Sequence, residues 1–150
     1  MLTLNELIEK GPCLCVGNGA PEDRIDEAER QLGLRFSEEY RSYLQRFAVA
    51  ALNGHELTGI TDVARCNVVA VTEAEREHAP AAKGSWYVVE QADIDGIVLW
   101  QDADGFVYQT IEGGRPILFS KSLAEYVMKL DATQSCMKEV YLLQPGSLRT

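Results

Sequence analysis

Histidine is scarce in this sequence, with two among 150 residues, and its four cysteines lack the spacing of a metal site. A zinc centre usually needs a C-x2–4-C pair together with a second pair of similar type. Cys13 and Cys15 are two apart, Cys66 and Cys136 stand alone, and His55 and His78 are the only histidines. The cysteines are therefore expected to be reduced structural thiols, small hydrophobes in effect, with no metal and no cofactor. Neither histidine accompanies a nucleophile setting such as G-x-S-x-G, so no catalytic residue and no enzyme activity are expected. Also missing is any apolar run near the roughly 20 residues that cross a bilayer. The stretch "MLTLNELIEK" has no basic region ahead of an apolar block, so a cytoplasmic location is expected.

Positive charge is the next shortage. Fourteen Lys and Arg stand against 23 Asp and Glu, a formal net charge of -9. Such a field repels nucleic-acid phosphates and anionic membranes and draws in a basic partner. The same acidity also serves solubility, so charge alone does not choose a function. Hydrophobic content of 46% and charged content of 25% are ordinary for a globular chain. At this length one domain is expected, burying about 70% of its unfolded surface.

Two glycine motifs fall short of the chemistry they suggest. "VGNGAPED" lacks the third glycine of a dinucleotide fingerprint, because Glu22 occupies that place. Glu22 and Asp23 would also repel a phosphate at the following helix start. "DIDG" and "DADG" resemble fragments of a calcium loop. Their twelfth positions, however, hold Asp102 or Ile111 in place of the bidentate glutamate. All three stretches read as turns.

The elements themselves are well signalled. Thr3 and Glu6 have capping-box spacing, which starts a first helix at Leu4. "CLCVGNG" is an apolar run closed by a turn. Pro21 suits the first position of a second helix whose inner face is Ile25, Ala28 and Leu32, ended by Gly33. Ser37 caps a third, with Tyr40, Tyr43, Leu44 and Phe47 facing the core. "HELTGI" reads as a strand, and Thr72 with Glu75 as the cap of a short helix ending near Pro80. "WYVVEQ", "GIVLWQ", "GFVYQTI" and "PILFS" then form an antiparallel meander, with Gly96 and Gly105 in acidic hairpin joints. Ser122 and Glu125 cap a further helix with Leu123, Tyr126, Val127 and Leu130 inward, and a last helical stretch is expected over 133–143. The expected fold class is α+β, one domain over 1–150 with the antiparallel meander sheet packed with N-terminal and C-terminal helices.

In this order the motifs resemble the SUKH superfamily, of the SMI/KNR type. The resemblance rests on "I-x-x-x-E-x-x-L-G" from Ile25 through Glu29, Leu32 and Gly33, the Ser-capped "EEYRSYL" with Tyr40 and Leu44, "GHELTGI" with Gly54, Glu56 and Gly59, and "NVVAVT" with Thr72. "DGFVYQ", with Gly105, Val107 and Tyr108, and "SKSLAEYV", with Ser122, continue it, so that it covers Ala20 to Leu130. Phe36-Ser37 departs from the usual Leu-Pro, but serine caps a helix as well as proline starts one. The segment from Asp131 onward is unmatched, and its role is open.

The resemblance implies an α+β binding protein rather than an enzyme, and it brings no catalytic residues. Many members are bacterial immunity proteins that bind and neutralise a toxin domain, often a nuclease. Others are scaffolds in fungal cell-wall signalling. An immunity protein for a basic toxin domain is the expected function, and a regulatory scaffold or ligand-sensing module is the alternative. The candidate contact residues are the acidic turn residues Asp93, Asp95, Asp102 and Asp104. Their rival explanation is that aspartate simply favours turns. Oligomeric state is not indicated.

Overall fold

A computed structural model describes residues 2–11, 13–52, 55–92 and 96–129. The first helix, α1 (Leu4–Lys10), carries the expected capping box: Thr3 Oγ1 accepts the Glu6 N–H and the Glu6 carboxylate accepts the Thr3 N–H. It is followed by β1 (Cys13–Val16), α2 (Glu22–Leu32) and α3 (Glu38–Phe47). Pro21 is the N-cap of α2 rather than its first helical residue, and Gly33 ends the helix in the left-handed region at φ 66°. Ser37 caps α3 by accepting the Tyr40 N–H at 3.0 Å.

Two short strands, β2 (Ala50–Leu52) and β3 (His55–Leu57), lead through a 3-10 turn (Ala64–Cys66) into α4 (Val68–His78). This helix starts earlier than the Thr72–Glu75 spacing predicts. Asn67 is its true cap, accepting the Ala70 N–H at 3.0 Å. Thr72 lies fully buried inside the helix, where its hydroxyl accepts the Val88 N–H. The β-branched run "NVVAVT" hides a helical turn that tertiary burial imposes against propensity. Strand β2 carries no turn or alternation signal of its own and follows directly on α3. The break is Ala48, which takes φ 65°.

The remaining strands are β4 (Tyr87–Ala92), β5 (Ile97–Gln101), β6 (Val107–Ile111) and β7 (Ile117–Ser120), and residues 123–129 are helical. All seven strands form one antiparallel sheet whose spatial order follows the chain, β1 through β7. The meander is therefore present, and β1 to β3 extend it. The stretch expected as a helix over 133–143, and Leu130 before it, lie outside the described residues.

Side chains alternate across the sheet, so Tyr87 and Val88 face opposite ways. On the first face Tyr87, Val89, Leu99 and Val107 meet Tyr40, Tyr43, Leu44 and Phe47 of α3, together with Leu123 and Val127. Phe36, Tyr40 and Tyr87 pack with ring centroids 4.8–5.0 Å apart. On the second face Val88, Val98 and Trp100 form a smaller cluster with Val71 of α4, Ala79 and Trp86. The sequence-derived inner faces of α2 and α3 are thus buried as expected.

Candidate functional site

The β5–β6 turn holds two of the four candidate aspartates. Asp102 is half-buried and its carboxylate is already engaged within the turn. One oxygen accepts the Asp104 and Phe106 N–H groups, both at 3.0 Å, and the other accepts the Tyr108 hydroxyl at 3.1 Å. The Asp102 backbone closes the loop, accepting from Gly105 N–H and donating to the Phe106 carbonyl. Gly105 supplies φ 98°, which a residue with a Cβ rarely adopts. Burial first, and then the Asp102 carboxylate, raise the Tyr108 hydroxyl above its ordinary pKa. Asp104 projects from this frame and is exposed. Asp93 and Asp95 lie outside the described residues, and the strand Ile97–Gln101 separates their segment from Asp102.

Beneath the turn lies a buried polar network that sequence reasoning did not find. Gln101, fully buried, donates to the Gly105 carbonyl and to Glu39, both at 2.9 Å. Its carbonyl oxygen accepts the Tyr87 hydroxyl at 2.6 Å and the Ser37 hydroxyl at 3.2 Å. Burial pushes the Tyr87 hydroxyl well above its ordinary pKa, with the Ser37 bonds opposing. Glu39 then uses both carboxylate oxygens to accept the Leu123 and Ala124 N–H groups at 2.8 and 3.0 Å. These are unpaired donors of a helix start, where a carboxylate is favoured. One chain of bonds thus braces the acidic turn, α3 and helical residues 123–129 together. Glu39 had a visible signal as an acid in a first turn, but Gln101 had none beyond a polar residue ending an apolar strand.

A fully buried carboxylate, Glu90 on β4, is held by His55 Nδ1 at 2.7 Å and by the Tyr126 hydroxyl. Burial, then Glu90, hold the Tyr126 hydroxyl far above its ordinary pKa. Cys66 is buried beside Glu56, and desolvation followed by that carboxylate pushes its thiol up to about 11. A thiol so placed is a poor nucleophile at neutral pH. Cys15 is a free, exposed thiol, and among the described residues no three His, Cys, Asp or Glu side chains gather as metal ligands. Cys136 lies outside the described residues. Between α2 and the start of α4 runs an open cleft of about 630 Å³, with Ala28, Ile60 and Val68 among its lining and both acids (Asp23, Glu27, Glu73) and arginines (Arg24, Arg30) around it. No helix among the described residues is long and apolar enough to cross a membrane.

The motif positions now have physical roles. Glu29 accepts the Phe36 N–H at 2.8 Å and pairs with Arg41 at 2.8 Å, locking the α2–α3 corner. Tyr40 bonds Thr58, whose own hydroxyl donates to the Val88 carbonyl. Gly59 has no room for a side chain, since a Cβ there would sit 1.9 Å from the Ala48 carbonyl oxygen. Gly54 lies outside the described residues. A family model described as SUKH_5, SMI1-KNR4 cell-wall, matches residues 3–130, taking in α1 and β1 as well as the stretch from Ala20. No curated protein matches the chain.

Proposed function

The chain belongs to the SMI1-KNR4 family of SUKH domains, and from that premise we propose that it is a non-enzymatic binding protein. The reading is an immunity protein of a bacterial cytoplasm that covers and neutralises a basic toxin domain. The family match over residues 3–130 carries it. The net charge of -9 supports it, because an acidic surface speeds encounter with a basic partner and competes with that partner's nucleic-acid substrate. Asp104, exposed on a turn held from below by Gln101 and Glu39, is a pre-organised contact charge that needs little ordering on binding. Asp102 contributes by shaping that turn, and Asp93 with Asp95, ahead of β5 in sequence, is the competing pair. The description "cell-wall" supports a second reading, a regulatory scaffold without a toxin partner.

Co-expression with a basic toxin domain, sought first in a gene adjoining this one, separates the two. The immunity reading expects cells to survive that domain only when this protein is present, and expects Asp104→Asn to weaken protection without lowering the amount of folded protein. Cells that die at the same rate with and without it overturn the reading and leave the scaffold.

A further inference from the structure

The stretch "RPILFSK" forms one margin of the molecule. Its strand, β7, ends the sheet among the described residues, paired to β6 alone. Leu118 registers with Tyr108, which stacks on Trp86 on the second face, whereas Ile117 registers with Gln109 and through it with Leu99 on the first. Both are unusually open for an ordered strand, Ile117 at 61% and Leu118 at 55% exposed, with Ile111 of β6 at 47% beside them. An edge strand with a free flank is a template for another strand, and proteins commonly blunt such edges with charge placed in the strand itself. None of the four residues of β7 is charged.

Charge lies instead at its two ends. Arg115 and Lys121 are both exposed at the ends of β7, and Lys129 adds a third cation beside it. The acids nearby are Glu112 ahead of the turn and Glu125, whose carboxylate accepts the Lys121 N–H and pairs with Lys129. At about 3.3 Å per residue, six residues of extended chain set ~20 Å as the upper limit of the Arg115–Lys121 Cα separation. The Phe119 carbonyl takes its donor from Lys129 Nζ at 2.9 Å, a side chain of the following helical residues. We propose that β7 is a second interaction surface, distinct from the acidic turns, which accepts an extended apolar segment of a protein partner as an eighth strand. The segment carries acidic residues at its ends. Backbone pairing supplies affinity, Ile117 and Leu118 supply apolar contacts on the two faces, and Arg115 and Lys121 set the charge and the register. A basic segment is turned away from this edge by the same two residues.

The probe is a short β-branched peptide with aspartate at both ends, compared with its lysine-ended counterpart, on the full chain. The aspartate-ended peptide should bind, slow hydrogen exchange at the amides of 117–120, and outcompete the lysine-ended one. Arg115→Glu/Lys121→Glu should bind it about tenfold more weakly and reverse the preference, with an unchanged unfolding midpoint because both side chains are exposed. Equal binding of the two peptides, no binding, or protection confined to other strands would overturn the proposal. So would full protection of these amides in the free protein, with sedimentation then telling whether a second copy or this chain itself covers the edge.

Discussion

At Phe47 and Gly59 the chain tolerates little change, for opposite reasons. Phe47 closes the buried stripe of α3 and packs on Tyr43, so truncation leaves a cavity on the first face of the sheet. Phe47→Ala should destabilise by about 3–5 kcal/mol, read as a fall in the urea midpoint at constant slope. An unmoved midpoint would mean that the stripe is not core. Gly59 is the reverse, a place where the Ala48 carbonyl leaves room for hydrogen alone. The two thiols differ at the same scale. Near pH 8 Cys66, buried and raised to about 11, stays protonated, so iodoacetamide should modify exposed Cys15 well before it. The order is read by peptide mapping, and equal rates would contradict the packing of the 3-10 turn. Raising the pH from about 9 to 11 should then cost stability, since the unfolded chain ionises Cys66 before the folded one does.

Among the elements, the β5–β6 turn joins fold and function most closely. Asp102→Ala removes the side-chain acceptor of the exposed Asp104 and Phe106 N–H groups and should cost about 0.5–1.5 kcal/mol. Asp102→Asn keeps an acceptor oxygen and should cost much less. Thermal unfolding of the pair checks this, and equal losses would assign the residue's effect to its charge. Helices α1, α2 and α3 and strands β4 to β7 were legible because each combines a period with a cap or a turn glycine. The start of α4 was not, because Thr72 and Glu75 mimic a cap while Asn67 does the capping. A buried threonine bonding to Val88, 16 residues on, leaves no local trace. The acidic turns were legible as turns. The bracing beneath them was not, since Gln101, Tyr87, Ser37 and Glu39 meet only through the tertiary fold.

Over the whole molecule, acidic residues outnumber basic ones, 23 to 14. The net charge of -9 favours basic partners, whereas β7 is bracketed by Arg115 and Lys121, with Glu112 and Glu125 next beyond them in sequence. A basic toxin domain and an acid-ended strand would therefore be drawn to different parts of the surface. Screening acts on such exposed charges within a Debye length of about 8–10 Å, so salt should weaken the toxin complex chiefly by slowing association. The most direct measurement is calorimetric titration of the full chain with a candidate basic toxin domain, at low and at physiological salt. The account predicts a one-to-one complex that weakens as salt rises and weakens further with either Asp102→Asn/Asp104→Asn or Asp93→Asn/Asp95→Asn. No binding heat, or an affinity indifferent to both salt and these substitutions, would contradict it.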